Sequence, residues 1–118
     1  MKIKEIKKIL KAEMLICSKS KMDMAVIGAG SADIMSDVLS AVSEYALLLT
    51  GLTDESVIRT AKIAGVRAVA FVRGKKPETR VIELAKNYNL PLLVTEYSLF
   101  VASGRLYING LRGLDGSW

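Results

Sequence analysis

The run Arg73-Gly74-Lys75-Lys76-Pro77 carries the best anion-binding chemistry in this chain of 118 residues. It joins three cations to a glycine that lets the backbone turn its N–H groups outward. Pro77 is preset for the first turn of a helix, whose amino terminus favours negative charge. That combination suits a phosphate or a carboxylate; it equally suits a solvated basic loop offset by Glu78. Gly28-Ala29-Gly30 with Ser31 lies between an apolar run and a helical pattern, where dinucleotide-binding sheets bring pyrophosphate to a helix. The match is poor. Asp33 stands where the third glycine of that fingerprint belongs, and no acidic residue ends the next apolar run to hold a ribose. Glycines serving a tight turn are the better reading, and no P-loop pattern is present. Asp33, Asp37, Asp54 and Glu96 add carboxylates in or near neighbouring turns without a metal-ligand spacing. Cys17 is the single cysteine and histidine is absent. An intrachain disulfide, a Cys/His zinc site and imidazole catalysis are therefore excluded. Without a histidine to activate it, Cys17 reads as a small buried hydrophobe, and Ser31 and Thr53 read as helix caps.

These groups need elements to hold them. Four apolar runs, residues 24–30, 46–50, 68–72 and 92–95, recur at intervals of about 22 to 24 residues, the length of a strand, a turn, a short helix and a return. Their turns would gather along the carboxyl edge of a mostly parallel sheet, where open α/β sheets bind ligands. Gly28, Gly30, Ser31, Thr50, Gly51, Thr53, Arg73, Gly74, Lys75 and Thr95 are the ligand-binding candidates on that edge. Helical spacing follows each run: Ile34, Met35, Val38, Leu39 and Val42; then 54–64, closed by Gly65; then Val81, Ile82, Leu84 and Ala85, closed by Asn89; then 98–108, stopped by Asn109 and Gly110. Upstream, Ile3, Ile6, Ile9 and Leu10 share one helix face. Residues 12–16 suit an edge strand, and 17–23 a polar connection.

The net charge of +5 is local. Residues 1–22 hold seven lysines against Glu5 and Glu13, while the rest of the chain is balanced. One short helix with lysines opposite its isoleucines, lacking arginine and aromatics, is a weak footprint for nucleic acid or a membrane, so neither is an expected partner. No apolar run nears the ~18 residues of a membrane span, and the lysine-rich start lacks the features of a secretory signal. The expectation is a cytoplasmic protein with one domain over 1–111. The tail, 112–118, is too glycine-rich to assign, although Leu114 and Trp118 are placed to pack back.

With these residues in view, the chain resembles the DRTGG domain family from near its start to about Leu111. The resemblance rests on Gly28-Ala29, Ile34-Met35-Ser36-Asp37-Val38-Leu39, Leu47-Leu48-Leu49-Thr50-Gly51-Leu52-Thr53, Val57-Ile58-Arg59-Thr60-Ala61, Phe71-Val72-Arg73-Gly74-Lys75-Lys76-Pro77, and Leu90-Pro91 with Thr95, Tyr97 and Phe100. It points to the small stand-alone branch found in anaerobic bacteria and archaea. The domain is similar to the amino-terminal domain of bacterial HPr kinase/phosphatase, and it also occurs fused to phosphotransacetylase and beside CBS domains in a pyrophosphatase. In these settings the resemblance implies a regulatory or assembly role, and gene neighbours of the stand-alone branch are linked to hydrogenases and electron-transfer complexes. The signature Asp-Arg pair aligns with Leu52-Thr53 and its Thr-Gly-Gly with Val72-Arg73-Gly74, so only the last glycine is retained.

The resulting expectation is a three-layer α/β/α fold around a mostly parallel sheet of four to five strands. Functionally, it is a non-catalytic regulatory module without a cofactor or metal. It forms a homodimer and senses a small anionic ligand, a nucleotide or phosphometabolite, at the strand carboxyl ends. The alternative is a ligand-free interaction module, because Leu99, Phe100, Val101, Leu106 and Tyr107 make the last helix unusually apolar. Phe100, Leu106 and Tyr107 are the expected dimer anchors.

Overall fold

The computed structural model describes residues 1–114, so Trp118 lies outside the described residues. The apolar runs at 46–50, 68–72 and 92–95 form the inner strands β3 (Leu47–Thr50), β4 (Ala68–Phe71) and β5 (Leu92–Val94), every residue of which is buried. Strands covered on both faces need continuous apolar sequence rather than alternation. β2 (Ala29–Ser31) extends the sheet parallel to β3, and β1 (Glu13–Ile16) pairs antiparallel with β5 at the opposite edge. The order is β1-β5-β4-β3-β2, five strands with one antiparallel member.

Because β2 to β5 follow one another across the sheet, their connecting helices α3 (Met35–Ala41), α4 (Glu55–Ala64) and α5 (Thr79–Asn87) all lie on one face. There Val38, Val57, Ile58, Ala61, Val81 and Ala85 meet Leu48, Val69, Phe71, Leu92 and Val94. On the other face, α1 (Ile3–Leu10) and α6 (Leu99–Ile108) bring Ile3, Ile6, Leu10, Ala102 and Leu106 onto Leu47, Leu49, Ala68, Ala70 and Leu93. The product is the expected three-layer α/β/α arrangement. α1 keeps Lys4, Lys7 and Lys8 exposed opposite its buried isoleucines.

Several local expectations are corrected. The strand expected over 24–30 is confined to Ala29–Ser31, because the preceding residues serve the amino terminus instead: Ile3 N donates to Met24 O at 2.9 Å and Val26 N to Met1 O at 2.8 Å. The polar connection 17–23 contains a single turn of helix, α2 (Lys19–Met22). Asp54, not Thr53, caps α4 by accepting from Val57 N. Neither Ser31 nor Asp33 caps α3, whose cap residue is Ile34. Pro77 precedes the cap residue Glu78 and so lies outside α5. Ser98 caps α6 by accepting from Val101 N, and Gly65 ends α4 in a left-handed conformation with φ of 74°. Leu114, in the expected tail, packs against the α3–α5 side of the core.

Candidate functional site

At the carboxyl ends of the parallel strands, register sets Ser31 beside Leu49, Thr50 beside Phe71, and Phe71 beside Val94. The chain leaves β4 for α5 on one face and β5 for α6 on the other. Such a divergence of neighbouring connections is where an α/β sheet opens a crevice for ligands. Here the crevice is closed by backbone. Arg73 N donates to Tyr97 O at 2.9 Å, Gly74 N to Thr95 O at 2.8 Å, and Lys75 N to Val72 O at 3.2 Å. The expectation that this turn aims its N–H groups outward is therefore corrected. Arg73 and Gly74 take φ values of 56° and 66°, which folds the turn back over β5. A Cβ on Gly74 would sit 2.5 Å from Glu96 Oε2, so any side chain there must push that carboxylate aside as well as adopt the left-handed backbone.

The neighbouring turn is built on Asp33. Its Oδ1 accepts from Thr50 Oγ1 at 3.1 Å and from Gly51 N at 2.8 Å, while Thr50 Oγ1 also accepts from Leu52 N at 3.2 Å. Thr95 has an equivalent duty, donating Oγ1 to Leu10 O at 2.7 Å and accepting from Tyr97 N at 3.3 Å. Both threonine side chains are buried and committed to holding strand ends to their neighbours. Over Gly51, a Cβ would lie 3.6 Å from the Asp33 carboxylate and 3.9 Å from Arg73 Nη2. A carboxylate and a guanidinium thus flank bare backbone. Among the described residues, no ion pair or hydrogen bond engages the side chains of Arg73 or Lys75, whereas Lys76 pairs with Glu13 at 3.0 Å. Two free cations remain on this edge from the basic run.

The structure brings Thr50, Gly51, Arg73, Gly74 and Thr95 together, with Lys75 exposed on the same turn and Thr53 next to the α4 cap. Gly28 and Gly30 do not join them. A Cβ at Gly28 would strike Leu114 Cδ2 at 2.6 Å, and one at Gly30 would strike Val42 Cγ2 at 2.7 Å, so both serve close packing. Ser31 faces α6, with its Oγ 2.7 Å from Ser103 Oγ. Sequence reasoning missed Lys11, which lines a hollow with Leu10, Thr95, Glu96 and Tyr97. The antiparallel pairing of Glu13 with Val94 carries the end of α1 to this edge, and nothing in residues 1–16 announces that direction.

Cys17 lies away from this edge; burial pushes its thiol up, with Lys21 pulling weakly the other way. That is the reverse of an activated nucleophile. Among the described residues, no cluster of three potential metal ligands occurs. No helix among them is long and apolar enough to cross a membrane.

Residues 5–107 match the DRTGG domain family. The chain belongs to that family. No curated protein matches it. Among solved structures, this DRTGG domain is similar to the CBS and DRTGG domains of the regulatory region of a Clostridium perfringens pyrophosphatase, in complex with its activator diadenosine tetraphosphate. The TM-score is 0.77 at 18% identity, covering 98% of this chain and 51% of that one. The DRTGG domain described here thus spans about half the length of that chain and shares the fold of the part it matches. Leu52-Thr53 and Val72-Arg73-Gly74 lie in the adjoining turns after β3 and β4.

Proposed function

We propose that this DRTGG domain is a non-catalytic, cytoplasmic regulatory module that works as a homodimer and senses a small anion at the strand carboxyl ends. The observation that carries the reading is the fold shared, over 98% of the chain, with part of a regulatory region crystallised with its nucleotide activator. Arg73 and Lys75 supply the charge, since their side chains are uncommitted while the backbone N–H groups of their turn are spent. A ligand there is held by side chains alone, with Asp33 and Glu96 favouring one that also offers hydrogen-bond donors, such as a hydroxylated phosphometabolite or a nucleotide.

A thermal-shift screen with nucleotides, acyl phosphates and organic acids tests this, because a ligand that binds only the folded state raises the melting temperature by mass action. The double change Arg73→Ser/Lys75→Ser is expected to diminish the shift by this edge's contribution and leave the free protein folded; an undiminished shift removes the ligand from this edge.

A second reading, a ligand-free assembly module, is favoured by the closed crevice and by Phe100 and Ile108, which stand 86% and 84% exposed on α6. Under that reading no ligand shifts the melting temperature, and a protein partner covers α6. Complexes handling electron transfer, such as hydrogenases, are the class that the family resemblance favours.

A further inference from the structure

The opposite end of the sheet offers a different chemistry. Where the returns from α3, α4 and α5 enter β3, β4 and β5, they and Lys21 line a cleft of about 240 Å³. Tyr45 and Tyr88 stand in it, each with a cation near its ring: Arg67 lies 4.5 Å from the Tyr45 centroid and Lys62 Nζ 5.7 Å from that of Tyr88. Lys21 Nζ donates to Asn89 O at 2.5 Å, and Arg67 Nη1 to Ala25 O at 2.7 Å. Among the described residues, no carboxylate lines the cleft. Of the acidic residues nearest in the chain, Asp23 pairs with Lys4 at 2.8 Å, and Glu44 lays its methylene on Gly65.

Cations near helix carboxyl termini have a ready structural account in the dipole and the last carbonyls. That account covers Lys21 and Lys62. It leaves the half-exposed ring of Tyr45 unexplained, on a backbone held at φ of 66°, a region that bulky side chains avoid, by Tyr45 N donating to Gly65 O at 2.9 Å and Ile27 N to Tyr45 O at 3.1 Å. Strain of this kind persists where surrounding structure enforces it and concentrates at binding sites. A half-exposed aromatic ring with a guanidinium over one face, beside cations without carboxylate partners, is the pairing that receives a base and its phosphates.

We propose that this cleft binds a nucleoside phosphate, its base stacked on Tyr45 and its phosphates met by Lys62, Arg67 and Lys21. The site is separate from the Arg73 edge and stands whether or not that edge binds an anion.

The test is a titration of the protein with ATP, tripolyphosphate and adenosine, followed by amide NMR shifts and calorimetry. ATP is expected to move the amides of Tyr45, Gly65, Arg67 and Asn89. Tyr45→Asn, which keeps a residue tolerant of the left-handed backbone, and Lys62→Glu on the exposed helix end should each weaken ATP about tenfold or more. Arg73→Ser/Lys75→Ser should leave this binding unchanged, and tripolyphosphate and adenosine should each bind more weakly than ATP. Four results overturn the proposal: no ATP-dependent shifts up to about 5 mM, shifts confined to the Arg73 turn, tripolyphosphate binding as tightly as ATP, or a folded Tyr45→Asn variant that binds ATP as well as the parent. The second of these leaves the Arg73 reading standing; undiminished ATP binding to Arg73→Ser/Lys75→Ser, with shifts in the Tyr45 cleft, does the reverse.

Discussion

At the residue scale, the strand-end turns hold themselves together with the groups that a ligand would otherwise use. Gly74 carries two constraints at once, a left-handed φ of 66° and the Glu96 carboxylate within 2.5 Å of any Cβ. Gly74→Ala should therefore cost about 1–3 kcal/mol in urea denaturation. Adding Glu96→Ala should return part of that loss, since the clash goes while the backbone strain remains. Strictly additive losses would mean that the carboxylate is no obstacle. Cys17 makes a second test at this scale. Burial disfavours its thiolate, so its onset of reaction with a disulfide reagent should lie above the usual thiol range as pH rises, and urea should bring the onset back down. Lys21→Ala should push the native onset higher still, because Lys21 lowers the thiol's pKa. A native onset at or below that of the unfolded chain would contradict this account.

At the scale of elements, α1 shows how a charge excess can be structural. Its lysines stand in solvent while Ile3, Ile6 and Leu10 are buried against the sheet. Ile6→Ala should cost about 2–5 kcal/mol, whereas Lys7→Gln/Lys8→Gln should leave stability nearly unchanged. Any binding to duplex DNA or anionic vesicles should disappear near physiological salt; binding that resists salt and depends on sequence would overturn the solvated-face reading. This helix was legible because its period of apolar residues is clean, and β3, β4 and β5 because continuous apolar runs suit strands covered on both faces. The run at 24–30 misled for a physical reason: Met24 and Val26 are apolar because they cover the α1 side of the core, while the strand proper begins only at Ala29. The site was half legible. Residue types marked Thr50, Gly51, Arg73 and Gly74 as turn residues, but which carbonyls face their N–H groups depends on two loops meeting across the divergence of α5 and α6. Capping also failed locally at Thr53, because the adjacent Asp54 supplies the better acceptor for the first turn of α4.

At the scale of the whole molecule, the burial pattern separates side chains that complete the core from those left for a partner. The sequence alone placed Phe100, Leu106 and Tyr107 together as dimer anchors. In the fold Leu106 is buried, while Phe100, Tyr107 and Ile108 are exposed on α6. A helix that packs one face on the sheet and presents two large apolar side chains more than four-fifths exposed carries surface that a second copy would cover. The proposed homodimer then makes contrasting demands. Phe100→Asp/Ile108→Asp should turn a dimer into a monomer near 12.8 kDa by light scattering at micromolar concentration, with the core intact and the circular-dichroism spectrum unchanged. Leu106→Ala should instead lower stability by about 2–5 kcal/mol through the cavity it leaves. A parent protein that is already monomeric at that concentration would sink the homodimer and leave the exposed face of α6 to the assembly reading.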